Sequence, residues 1–189
     1  MRFLIPAVTM LAALAVVPAA VLPAWAQNRA PQGPRALGTY QGWTAATHTE
    51  NGQKICFAFT RATRAEGVPG RTTQNVTLMV THRPQGRDQV AVRNGFTHGR
   101  GAEARLIIAQ TDLPAYTSRD SAFLRDGRAA VGAMRGGREA MLRSPGPNGR
   151  GQAQDIFPLA GFAAAYDAIS RECPAAAAPA PAPAAPARR

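Results

Sequence analysis

Lysine is almost missing from this chain. Of its 22 basic residues 21 are arginine, and Lys54 stands alone. Cysteine is nearly as scarce, with only Cys56 and Cys173. Their wide spacing excludes a C-x-x-C redox pair, and their number a four-cysteine zinc site. The three histidines, His48, His82 and His98, have no ligand-type neighbour at helical spacing and form no H-E-x-x-H. They are expected to be scattered surface or loop residues. None of the four serines, Ser118, Ser121, Ser144 and Ser170, sits in G-x-S-x-G. Asp112, Asp120 and Asp126 read as loop carboxylates with turn or capping roles rather than a glycosidase pair. The glycines of Arg135-Gly136-Gly137-Arg138 follow a helical stretch, whereas a phosphate cradle precedes one. No catalytic residue, cofactor site or metal site is expected.

What is present speaks first about location. Arg2, an uncharged apolar run from Phe3 to Val17, and Ala24-Trp25-Ala26 before Gln27 form a secretory signal over residues 1–26. Pro18 and Pro23 argue against an uncleaved membrane anchor, so no stable membrane span is expected after signal removal. Export places the two cysteines where thiols oxidise, in the periplasm or outside the cell, and a Cys56–Cys173 disulfide follows. Cleavage leaves 163 of the 189 residues, enough for one domain with a core. Residues 27–36 are a polar, proline-rich disordered linker. Residues 174–189, alternating Ala and Pro, read as a semi-rigid disordered tail ending in Arg188 and Arg189.

Between them, 37–173 is read as mainly β. Asn51-Gly52 is a strong hairpin signal between strands at 43–47 and 54–60. In the second strand Cys56 and Ala58 share one face, and Phe57 and Phe59 the other. Two apolar faces suit a strand covered on both sides. Strands follow at 76–81, 89–93, 104–109, 116–118, 123–125, 139–143 and 152–157, with 61–74 a loop. Val131 and Met134 mark a short helix over 128–135 with a glycine C-cap. Leu159, Phe162, Tyr166, Ile169 and Cys173 form one stripe of a C-terminal helix, which Pro174 ends. The expected architecture is a single-domain β-sandwich or flattened barrel with a short helix and a C-terminal α-helix.

The full chain carries a formal charge of +11. Within 37–173 there are 17 basic and 11 acidic residues, a surplus of six. Export, scattered arginines and the lack of interleaved aromatics argue against nucleic acid. An anionic envelope polymer or host surface fits such a charge. Arg188 and Arg189, carried on the tail, are the most available cations for it. His82, Arg83 and Arg135, near turns, are weaker binding candidates. The alternative is a periplasmic hydrolase, which converging carboxylates or a His–Ser pair in an open polar cleft would favour.

Several short segments resemble the invasion-associated locus B family of exported bacterial proteins. They are Leu37-Gly38-Thr39-Tyr40 with Gly42-Trp43-Thr44, Asn51-Gly52-Gln53-Lys54-Ile55-Cys56, and Val80-Thr81-His82-Arg83-Pro84. Ala133-Met134-Arg135-Gly136-Gly137 follows, then Leu159-Ala160-Gly161-Phe162 through Ala165-Tyr166 to Ile169 and Cys173. The resemblance implies a compact β-rich periplasmic or surface-associated protein with no known enzymatic activity. It transfers no catalytic or binding residue. The Ala/Pro tail departs from the family pattern.

Overall fold

The structure is a computed structural model that describes residues 33–175. The signal segment 1–26, most of the tail, and Arg188 and Arg189 lie outside the described residues. Eleven strands and two helices alternate as β1 (Arg35–Tyr40), β2 (Trp43–Glu50), β3 (Gln53–Arg61), β4 (Arg64–Glu66), β5 (Thr77–Arg83), β6 (Gly86–Arg93), β7 (Glu103–Ile108), β8 (Thr111–Ser118), β9 (Ser121–Leu124), α1 (Gly127–Gly136), β10 (Glu139–Pro145), β11 (Gln152–Pro158) and α2 (Phe162–Glu172). All strands join one antiparallel sheet in the order β1-β2-β3-β5-β6-β9-β8-β7-β10-β11-β4.

The last strand of that ladder returns to its third. β4 continues β3 after only Ala62 and Thr63, and Thr63 N–H donates to Ile156 O at 2.8 Å. The sheet stays open but curls back on itself as a flattened barrel, with β1 and β2 extending one side. Period-2 alternation fills the concave face. Trp43, Ala45, Cys56, Ala58, Leu78, Val80, Leu106 and Leu142 are all fully buried there.

The β2–β3 hairpin turns at Asn51 and Gly52, with φ of 51° and 76°, the doubly left-handed turn that Asn-Gly favours. The alternation in β3 is also as expected on its inner side. On the outer side Ile55 is buried, but Phe57 and Phe59 are only half-buried and stack at 6.1 Å. The strand is therefore not sealed on both sides. Two strands had no signal of their own: β1, and three-residue β4 within the segment read as a loop. β1 begins at Arg35, two residues before the boundary set at 37, and Arg35 pairs with Glu172 at 2.9 Å.

α2 packs on the inner face of β1–β3 through Phe162, Ala165 and Ile169, with Trp43 and Phe162 rings 4.9 Å apart. Trp43 Nε1 donates to Pro158 O at 2.9 Å, which satisfies the one polar atom of a fully buried indole. Gly161 starts α2 at φ 90°, and a Cβ there would lie 1.9 Å from Tyr40 O. α1 lies on β6, with Asp126 accepting from Ala129 N–H at 2.9 Å. Its exit is not the left-handed glycine cap expected from sequence. Gly137 is extended at φ −85°, ψ 161°. Its lack of a side chain serves close packing instead: a Cβ would stand 2.5 Å from Ile108 Cγ2 and 2.8 Å from Leu159 Cδ1.

Candidate functional site

Two polar clusters occupy different parts of the barrel. The first surrounds the C-terminal end of α2. Cys56, buried on β3, and Cys173, capping α2, are bonded with Cα atoms 6.0 Å apart. That spacing lies inside the usual range of about 4.4–6.8 Å. The bond spans 117 residues and stabilises by about 4–5 kcal/mol in the chain-entropy account. Beside it lies a cleft of about 350 Å³ lined by Lys54, His82, Arg83, Arg87, Glu172 and Pro174.

His82 is not a surface histidine. It is 1% exposed, and its parity with Leu78 and Val80 turns it inward. Burial, then the neighbouring Arg87, hold its pKa below the usual value. Its Nε2 lies 3.0 Å from Ser170 Oγ, and its Nδ1 is 3.8 Å from an Asp88 carboxylate oxygen. This is the His–Ser proximity that a hydrolase would show, but it lies within the packing of α2 on β5 and β6. The Asp88 backbone N–H donates to Nδ1 at 3.3 Å, an arrangement that favours the tautomer with its hydrogen on Nε2, facing Ser170. Ser170 also accepts from Arg87 at 3.2 Å. In that tautomer Ser170 accepts from both neighbours and is not activated as a nucleophile. Asp88 meanwhile accepts from Tyr166 OH at 2.6 Å. The cluster thus ties α2 to β5 and β6.

The other sequence candidates are also engaged in the fold. Arg83 is paired with Glu50. Arg135 is paired with Asp167 and lies over the Tyr166 ring at 4.7 Å. Lys54 is held by Glu172 at 2.7 Å. The structure brings His82 and Arg83 to one cleft and sets Arg135 on the α1–α2 contact.

The second cluster was not foreseen. Arg71 Nη1 and Asp155 Oδ1 meet at 2.7 Å with both side chains no more than 2% exposed. Asp155 accepts from Asn94 Nδ2 at 3.0 Å, and Asn94 Oδ1 is 3.0 Å from His98 Nε2. Arg71 also donates to the backbone carbonyls of Asn94 and Glu66 and lies over the Phe96 ring at 5.3 Å. Burial pushes Asp155 upward against the pull of Arg71, and burial holds His98 low. His98, like His82, is buried rather than a surface residue.

This network fixes the loop 94–98. The loop is pinned again where Asn94 N–H donates to Asp120 O and His98 N–H donates to Arg119 O, both at 2.8 Å. The turn at Gly99 approaches the turn at Asn148–Gly149, with 3.6 Å from its Cβ position to Gly149 N. Exposed Arg100, Arg119 and Arg150 therefore sit on neighbouring turns, with no carboxylate partner among the described residues. Sequence reading took these arginines as scattered, because 50 positions of chain separate turns that the sheet brings together.

Among the described residues no group of three or more His, Cys, Asp or Glu side chains is placed to hold a metal, and no helix is long and apolar enough to cross a membrane.

No family model matches this sequence, so the motif resemblance has no wider match behind it. No curated protein matches it either. Among solved structures, the chain is similar to invasion-associated protein B from Bartonella henselae, at 16% identity and a TM-score of 0.48. The match covers 71% of this chain and 95% of the other.

Proposed function

We propose that the protein is an exported, non-enzymatic envelope protein that binds an anionic polymer of the cell surface. The observation that carries the reading is the group of Arg100, Arg119 and Arg150 on adjacent turns, exposed and without carboxylate partners among the described residues. Some other surface cations of the barrel are neutralised in place, as in Arg93–Asp120, Arg105–Asp112 and Arg125–Glu103, while exposed Arg61, Arg64, Arg128, Arg138, Arg143 and Arg171 also have no carboxylate partner among the described residues but stand apart from this group. Arg100, Arg119 and Arg150 are set apart by lying on adjacent turns. The disulfide supports an oxidising location in the periplasm or beyond the cell. Arg188 and Arg189 extend the same charge on the tail. The His82–Ser170 contact is also held by Arg87 and ties α2 to the sheet, so nothing in it favours the hydrolase alternative.

The test is retention of the mature protein on immobilised lipopolysaccharide as salt rises. The Debye length falls from about 10 Å at 0.1 M to about 3 Å at 1 M, so retention should fade across that range. Arg100→Ser with Arg150→Ser should weaken it further at low salt than deletion of residues 174–189 does. Equal retention of wild type and both variants at every salt concentration would overturn the reading.

A further inference from the structure

The buried Arg71–Asp155–Asn94–His98 network is expensive. Removing two charges and two polar groups from water costs several kcal/mol before any pairing is counted. Its geometry shows what it holds. Arg71 bonds the Asn94 carbonyl, Asn94 bonds Asp155, and His98 bonds Asn94, so both ends of the segment 94–98 are clamped. The residues between the clamps, Gly95, Phe96 and Thr97, form one wall of a cleft of about 420 Å³. Its other walls are Gln74 and Asn75 from the turn before β5, and Arg93 with Asp120 from the ends of β6 and the β8–β9 turn.

The chemistry of those walls is specific. Arg93 Nε donates to Asp120 Oδ2 at 2.9 Å, leaving the rest of the guanidinium fork facing solvent. Burial raises Asp120, but the bonds from Arg93 and Ser121 outweigh it and keep the carboxylate charged. Donor and acceptor thus stand side by side with their charges cancelled. The amides of Gln74 and Asn75 and the hydroxyl of Thr97 add mixed donors and acceptors. Phe96 supplies an apolar ring, held from behind by Arg71 and by His98 at 4.7 Å. A phosphate or sulfate would meet Asp120, and an apolar ligand would leave these polar groups unpaired. A sugar ring satisfies both demands, with vicinal hydroxyls for the Arg–Asp pair and amides, and a C–H face for Phe96.

We propose that this cleft is a saccharide subsite, binding one or two neutral sugar units of a glycan whose anionic substituents reach the neighbouring arginine turns. This rests on the polymer-binding reading and gives the polymer its class. Arg119 adjoins Asp120 in sequence, and Arg100 lies two residues beyond His98, so cleft and cations are contiguous. The buried network acts as the support that keeps the cleft preformed.

The probe is the lipid-free polysaccharide released from lipopolysaccharide by mild acid, titrated into the 15N-labelled mature protein at 0.5 M salt. Shifts should appear at Asn75, Gly95, Phe96 and Thr97, saturate, and persist at that salt. Asn75 is exposed and its side chain bonds nothing in the described fold, so Asn75→Ala should keep the wild-type melting temperature. It should raise Kd for the polysaccharide about tenfold, as losing a hydrogen bond to a polar ligand does. Phe96→Ser should abolish the shifts. Arg100→Ser with Arg150→Ser should leave the high-salt shifts unchanged while lowering low-salt retention on intact lipopolysaccharide. Retention that persists with no shift at the cleft, or an unchanged Kd for Asn75→Ala, would overturn the saccharide subsite and leave polymer binding standing. Loss of retention altogether would remove both.

Discussion

At the residue scale, the costliest features are polar groups placed inside. Removing one member of a buried charge pair leaves the other uncompensated, at about 3–5 kcal/mol. Arg71→Ala is therefore expected to lower the urea midpoint sharply, whereas Arg93→Ala, at an exposed pair, should change the unfolding free energy by no more than about 1 kcal/mol. Equal small shifts for both would refute the clamp. His82 and His98 are both held neutral by burial, with folded pKa values below the unfolded value of 6.5. Below that pH the unfolded chain binds more protons than the native one, so stability falls as pH drops. The slope is at most about 1.4 kcal/mol per pH unit for each histidine. Thermal melts should show a fall in Tm between about pH 7 and pH 5. His82 faces Arg87, Asp88, Tyr166 and Ser170, and His82→Gln should remove part of the slope. Much of this was legible in part only. Leu78, Val80 and His82 share strand parity, a signal that places the histidine inside. Arg71 and Asp155 are 84 positions apart, with Arg71 in a polar loop, and no local pattern joins them.

At the element scale, local rules carried most of the fold. Alternation in β3, β5 and β6, Asn-Gly in the hairpin and the apolar stripe of α2 each depend on neighbours a few residues away. β1 and β4 escaped because edge position and three-residue length leave no period to read. The glycine after α1 was legible as a helix stop, but its reason was not, since Ile108 and Leu159 reach it from distant elements. That reason makes a prediction. Gly137→Ala forces a methyl against two buried side chains at backbone angles any residue can adopt. A cost of about 1–3 kcal/mol is expected from overpacking, read as a lower Tm. Had Gly137 been a left-handed cap, Gly137→Asn would be mild. Here it should be worse than alanine, and the opposite order would restore the cap.

At the scale of the whole molecule, the disulfide changes how the chain bears load. A pull applied between the N-terminal side of β1 and the residues beyond Pro174 passes from Cys173 directly into Cys56, in the middle of β3. Both helices and every strand from β4 to β11 lie within the covalent circuit and are bypassed by the force. About 117 residues, or roughly 400 Å of extended chain, are thus withheld from stretching. Single-molecule extension under oxidising conditions should release only the short contour of β1, β2 and the first part of β3. Adding reductant under load should then free the remaining length in a separate, later event. A full-length extension without reductant would show that the tether does not hold. The strands that carry the cleft, from β5 to the β8–β9 turn, thus stay folded while the chain ahead of Cys56 is drawn out.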